Sequence, residues 1–196
     1  QYFKIFDEHQ LEYILIAGGS GEDVYTIGKM VAFQIQNLLV AYKERYDKDN
    51  FIKNLLLDNL LLVDIYNRAK KLHIEPEANR VVYLVEASND KDNISMELLK
   101  NIFGDQQGCF LTAVEQKNII LVKEVENPFA YDEVERTAEI IIDMLNSEAM
   151  LSAKVAYGTI VSELKEVSKS YKEAKMALDV GKIFYSEKSV NAYNTL

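Results

Sequence analysis

The feature of this sequence that most constrains its fold is the alternation of strand-like and helix-like segments after Arg80. Apolar runs typical of strands occupy residues 81–87, 109–114, 119–125 and 154–157, and segments with apolar residues three and four positions apart occupy 94–103, 134–145 and 164–181. The polar stretch between the second and third runs predicts an antiparallel hairpin. The order β-α-β-β-α-β with a further helix is that of a ferredoxin-like split unit. We therefore expect an α+β domain at about 77–196, with an antiparallel sheet and helices packed on one face.

The first third of the chain predicts a hairpin followed by a long helix. Two strand-like runs lie within residues 2–17, and a glycine-rich turn leads from them into a helical pattern. We expect one helix from 24 to about 57, a break near Asp58 and a second helix that ends by Pro76. Residues 51–63 are apolar on nearly every side, which predicts burial on two faces.

An apolar stripe runs along the long helix. Its members recur at intervals of three and four: Val24, Ile27, Val31, Ile35, Leu38 and Tyr42. The stripe has two interpretations, packing on the sheet of a preceding domain or a seam between two copies of the helix. Both predict exposed apolar area that a second copy would cover, so we expect a homodimer.

Composition excludes several classes of function. The 22 basic and 31 acidic residues give a net charge of -9, which disfavours DNA binding by this chain itself. The single cysteine, Cys109, excludes an intramolecular disulfide, and the two histidines form no imidazole cluster for a metal. No apolar run approaches the roughly 20 residues of a membrane span, and no signal peptide is seen. We expect a cytoplasmic fragment without a metal, cofactor or membrane contact, and an inert, buried thiol at Cys109.

Three short sequence patterns resemble ligand-binding motifs but lack residues that those motifs need. The stretch 18–30 resembles a phosphate loop, but Asp23 stands where that motif needs glycine, so we expect a simple strand-to-helix turn. Residues 47–51 and 89–93 each space two aspartates as a calcium loop does. Because both lack its glycine and distal glutamate, we expect solvated turns.

Three longer stretches carry a family resemblance. YKERYDKDNFIKNLLLDNLL (42–61), NRAKKLHIE (67–75) and the run 155–184 resemble the degenerate GGDEF-like domain of CdaR/PucR-type bacterial transcription regulators. The resemblance implies a sensor domain before this region and a DNA-binding helix-turn-helix beyond Leu196. It also suggests three parts: the tail of a GAF- or PAS-like sensor domain (1–45), a helical linker (46–76) and the GGDEF-like domain (77–196).

The resemblance also indicates where a cyclase site would lie. GGDEF-type cyclases place a metal-binding aspartate after the first strand and a Gly-Gly-Asp/Glu-Glu-Phe sequence in the following hairpin. Here Glu86 takes the first position, and the hairpin AVEQKNIILV contains Glu115 and Lys117 but no glycine pair. Divalent ions need paired carboxylates, and glycines let the backbone approach phosphate. We therefore expect a degenerate site without catalytic or metal-binding residues.

Two functions remain open at this point. The first is a non-catalytic sensing, dimerisation and signal-relay part of a transcription regulator, whose inducer is a small molecule bound by the missing sensor and whose DNA contact is made by the missing C-terminal helices. The alternative is a cyclase-like module that binds a purine nucleotide without turnover, with magnesium held by Glu86.

Overall fold

The first of two units in this chain is a hairpin beside a helix. The computed structural model describes residues 1–7, 10–21, 23–88, 90, 93–115 and 118–195, and the chain divides into units 1–48 and 49–196. Strands β1 (Tyr2–Asp7) and β2 (Gln10–Ile16) pair antiparallel, and α1 spans Val24–Leu56. Both the hairpin and the helix from 24 to about 57 are confirmed.

Close packing joins this hairpin to α1. Gly28 is buried, and a Cβ atom there would lie 2.3 Å from the Phe3 ring, so the helix can approach the hairpin only at a residue without a side chain. The Gln36 side chain accepts a hydrogen bond from the Phe6 backbone N–H and donates one to its carbonyl. Ile5 is buried in this unit.

The second unit is built on a five-stranded sheet. Its strands are β3 (Arg80–Ala87), β4 (Cys109–Glu115), β5 (Asn118–Glu124), β6 (Ala153–Tyr157) and β7 (Val190–Ala192). The spatial order is β4-β5-β3-β6-β7, with antiparallel pairing throughout except for β7, which runs parallel to β6. The β-α-β-β-α-β order is thus confirmed, and the added edge strand makes the sheet mixed.

Helices cover both faces of this sheet. They are α2 (Leu62–Lys71), α3 (Ile94–Phe103), α4 (Tyr131–Glu148) and α5 (Val167–Phe184). Helices α3 and α4 pack on Val81, Tyr83 and Val85, whereas α5, α2 and the end of α1 share a core with Val82 and Leu84. Alternate strand residues point to opposite faces, which explains why residues 81–85 of β3 are apolar without interruption. The expectation of helices on one face holds for α3 and α4 but is wrong for the whole sheet.

The apolar stretch 51–63 is buried only in its first half. Phe51 and Leu56 belong to the core, and α1 ends at Leu56. Asp58 then adopts a φ of 62°, which confirms the expected break. Leu61 and Val63 are 75% and 69% exposed, so the expectation of burial on two faces is wrong for residues 57–63.

A serine hydroxyl completes the sheet where β6 ends. The Val82 carbonyl accepts a hydrogen bond from the Gly158 N–H at 3.1 Å, but the Val82 N–H donates to Ser170 Oγ on α5, also at 3.1 Å. Ser170 Oγ in turn donates to the Thr159 carbonyl at 2.8 Å. A Cβ atom at Gly158 would lie 2.1 Å from the Ser170 carbonyl oxygen, so glycine permits this approach. The junction fixes α5 against β3.

A helix that spans a bilayer needs about 20 consecutive apolar residues. Over the described ranges, no helix of this chain is both long enough and apolar enough to meet that requirement.

Candidate functional site

Four polar residues form a row across one end of the sheet. Glu86 of β3 lies opposite Asn118 of β5 on one side and Lys154 of β6 on the other. Asn118 lies opposite Glu115 of β4. The hairpin register therefore brings Glu86 and Glu115 into the same row, two strands apart, at the place the cyclase resemblance indicated.

Two lysines of α5 neutralise these carboxylates. Lys182 Nζ lies 2.6 Å from Glu86 Oε2, and Lys175 Nζ lies 2.9 Å from Glu115 Oε1. The lysines are seven residues apart, two helical turns, and so they project from one side of α5. Each carboxylate is thereby held beside an ammonium group from the same helix.

The Lys175 pair also changes the acidity of its members. The hydrogen bond from the Lys175 ammonium lowers the pKa of the Glu115 carboxyl, with the lysine charge as the next contribution. The same hydrogen bond raises the pKa of Lys175. Both groups remain charged over a wider pH range, although the Glu115 side chain is half exposed and solvent weakens the pair.

Asn118 sits between the two carboxylates. Its Nδ2 donates to Glu115 Oε2 at 3.2 Å, while its buried Oδ1 has no hydrogen-bond partner among the described residues. Lys117, the third expected member of the degenerate site, lies outside the described residues.

Charge balance determines what this row can do chemically. In the described part of the chain, no group of three His, Cys, Asp or Glu residues is arranged to hold a metal ion. A divalent cation at Glu86 or Glu115 would compete with an ammonium group already in contact. The row is therefore suited to anchoring α5 on the sheet end.

The expected stripe on α1 divides into two sets. Val24 and Ile35 are half-buried. The other four members are exposed: Ile27 (58%), Val31 (42%), Leu38 (67%) and Tyr42 (73%). At 3.6 residues per turn these four lie within an arc of about 60°. We call them the exposed stripe.

The two stretches with aspartates spaced as in a calcium loop, 47–51 and 89–93, lie in different surroundings. Residues 47–51 lie within α1, so the expectation of a turn there is wrong. In the stretch 89–93, residues 89, 91 and 92 lie outside the described residues. Asp90, within it, accepts hydrogen bonds from the backbone N–H groups of Ile94 and Ser95 at the start of α3.

Cys109 is half-buried at the start of β4. Burial raises the pKa of its thiol, and the positive charge of Lys123 opposes that shift only in part. Its Sγ lies 3.8 Å from Gln106 Oε1. A thiol that stays protonated at neutral pH is a poor nucleophile.

Sequence reasoning missed Lys175, Lys182 and Arg80. Arg80 is fully buried, and its Nη2 donates to the Glu75 carbonyl at 2.6 Å and to the Glu124 carboxylate. It thus ties the connection between α2 and β3 to β5. The only signal for Arg80 was a charge directly before the apolar run 81–85. Nothing marked the two lysines among the other charges of α5.

Comparison with known proteins identifies the domain. The family model of the GGDEF-like domain matches residues 59–180, which is more than half of the chain and includes the β3, β4 and β5 strands of the polar row. Searches of curated proteins and of solved structures gave no match. The chain therefore belongs to the GGDEF-like domain family.

Proposed function

We propose that this chain is the non-catalytic relay and dimerisation part of a cytoplasmic bacterial transcription regulator of the CdaR/PucR type. In this proposal the hairpin and the start of α1 are the tail of a GAF- or PAS-like sensor domain that binds a small-molecule inducer. A helix-turn-helix beyond Leu196 contacts DNA. The observation that carries the non-catalytic role is the pairing of Glu86 and Glu115 with lysines of α5, and the type of regulator rests on the resemblance of the sequence.

Electrostatics supports a non-catalytic role. A nucleotidyl cyclase needs carboxylates that hold divalent ions, which in turn neutralise the phosphates of the substrate. Here Lys182 and Lys175 already neutralise Glu86 and Glu115 at 2.6 and 2.9 Å. The hairpin sequence also lacks the glycine pair through which a backbone approaches phosphate oxygens.

Packing supports a relay role. The last turns of α1, including Phe51 and Leu55, lie in the same hydrophobic core as α2 and as Tyr171 and Leu178 of α5. A shift of α1 would therefore repack the residues that hold α5 on the sheet. Small shifts of packed helices are a common way for a signal to pass between domains.

Calorimetric titration with GTP and then ATP, each with magnesium, tests the non-catalytic role. We expect neither binding heat at millimolar nucleotide nor product by chromatography. Saturable binding without turnover would instead support the alternative function, a nucleotide-binding module, and Glu86→Gln should then abolish the heat. Product formation would refute both.

A further variant tests the role of the ion pairs. In the double variant Lys175→Met and Lys182→Met, both carboxylates lose their ammonium partners. We expect this variant to bind magnesium more tightly than the wild-type chain, measured by calorimetry with the metal alone. The control is Lys172→Met, which removes a lysine of the same helix that pairs with Asp58. Equal affinity in all three chains would show that the lysines do not exclude the metal.

Cysteine cross-linking tests dimerisation through the exposed stripe. We expect Leu38→Cys, in a Cys109→Ser background, to form a disulfide-linked dimer under mild oxidation. Asn37→Cys places an exposed thiol about 100° around the same helix and should cross-link much less. Equal cross-linking at both positions would mean that the stripe is not a seam.

A further inference from the structure

The two edges of the five-stranded sheet are protected to different extents. At one edge, β7 has three residues, and a short edge strand offers little backbone for pairing. At the other edge, β4 has seven residues and pairs only with β5 among the described strands. Natural edge strands are usually blocked by charged residues or proline. In β4 these features lie only at its end, where Glu115 follows the register shift, and residues 109–113 contain neither a charge nor proline.

The free edge of β4 is complementary to itself. The ladder with β5 is regular from Cys109 to Ala113, and a register shift follows before Glu115. A two-fold axis through Leu111 would place Leu111 opposite its own copy, Phe110 opposite Thr112 and Cys109 opposite Ala113. Every pair is uncharged, and the β-branched and aromatic members favour cross-strand contact. Residues of the regular segment other than Thr112 are half-buried, and the Cys109 N–H at its start already donates to the Gln106 carbonyl at 3.2 Å, so the edge offers a neighbour the backbone from Phe110 to Ala113.

We propose that β4 pairs antiparallel with β4 of a second copy of this chain, about a two-fold axis at Leu111. The two five-stranded sheets then form one continuous sheet of ten strands. A second copy is the occupant because the same uncharged row is presented by both partners and the pairing closes after two chains. The proposal specifies a surface for the proposed homodimer.

Disulfide trapping in the full chain tests this pairing. Directly opposed residues of antiparallel strands have Cα atoms about 4.5 to 5.5 Å apart, within the range of a disulfide. In a Cys109→Ser background, we expect Leu111→Cys to form a covalent dimer under mild oxidation. Val190→Cys, a half-buried position on the opposite edge, is the matched control and should react at least about tenfold more slowly. Equal rates, or no dimer from Leu111→Cys, would overturn the proposal.

A charge placed on the axis gives a second test. Leu111→Lys sets two ammonium groups opposite each other, and we expect it to weaken self-association by at least about tenfold in sedimentation equilibrium. Val190→Lys is the control, and circular dichroism verifies that both variants fold. Equal association of the two folded variants would contradict β4 pairing. If Leu38→Cys forms a cross-linked dimer but Leu111→Cys does not, the proposed homodimer stands and only the β4 contact is overturned.

Discussion

Removing the Ser170 hydroxyl should lower the free energy of unfolding by more than the small size of the group suggests. Ser170 and Val82 are both fully buried, and the Ser170 Oγ takes the place of a strand neighbour for the Val82 N–H at 3.1 Å. In Ser170→Ala this N–H loses its partner in a region closed to water. The Thr159 carbonyl loses a 2.8 Å hydrogen bond at the same time.

The expected change in the free energy of unfolding of Ser170→Ala is the sum of two opposing contributions. An unsatisfied buried donor costs about 1–3 kcal/mol, for which we take about 2 kcal/mol. Alanine is the better helix former and returns about 0.5 kcal/mol within α5. The free energy of unfolding should therefore fall by about 1.5 kcal/mol. Ser168→Ala is the matched control, because Ser168 is also buried on α5 and shows no side-chain hydrogen bond among the described residues. Its helix-propensity gain is the same, so the two variants should differ by about 2 kcal/mol.

Urea denaturation followed by far-ultraviolet circular dichroism measures this difference. With a slope near 2 kcal/mol per molar urea, the midpoint of Ser170→Ala should lie about 1 M below that of Ser168→Ala. Hydrogen exchange gives a local measurement, because the Val82 amide should lose protection in Ser170→Ala alone. Two variants with equal midpoints and equal exchange at Val82 would refute the reasoning.

Three further predictions concern the close contact between Gly158 and α5 and the titration of Cys109 and Glu115. Gly158→Ala should destabilise the chain by about 1–3 kcal/mol through overpacking, whereas Gly18→Ala, with no atom within 4 Å of the new Cβ, should change stability by less than about 0.5 kcal/mol in urea melts. Because burial raises the pKa of Cys109, its alkylation by iodoacetamide should reach half its maximal rate above the ordinary thiol pKa of about 8.5, and a lower midpoint would contradict this. The lowered pKa of Glu115 contributes stability above the ordinary carboxyl pKa that is lost as the pH falls through the folded value. Lys175→Met should therefore be less stable than the wild type at neutral pH, with a difference that shrinks in acid; a difference independent of pH would contradict the pair.

The sequence was a good guide wherever structure follows local periodicity. The strand at 81–87 and the helix at 94–103 lie within one residue of β3 and α3. A short continuous apolar run is typical of a strand buried on both faces, and a 3.6-residue period is typical of a helix. Strand β7 was missed because three residues, Val190–Ala192, are too few to show a period. The uninterrupted apolar run at 81–85 could have predicted that helices cover both faces of the sheet, because such runs are typical of strands buried on both sides.

Only the carboxylates of the candidate site could be predicted from the sequence. Glu86 and Glu115 could be placed by the resemblance and by the hairpin, since their positions depend on strand ends and register. Their partners could not be placed, because Lys175 and Lys182 lie on another element far along the chain and look like ordinary surface lysines. Charge pairing between distant segments depends on the fold and leaves no local pattern.

The central position of β3 has a consequence for synthesis of the chain. β3 leaves the ribosome before both of its sheet neighbours, because Val82 pairs with Val122 of β5 and Tyr83 pairs with Tyr157 of β6. Until those segments emerge, the central strand of the sheet has only local helices with which to associate. Such distant pairing slows folding and prolongs the exposure of aggregation-prone surface. Nascent chains that stop before β6 should therefore be the ones that most need a chaperone.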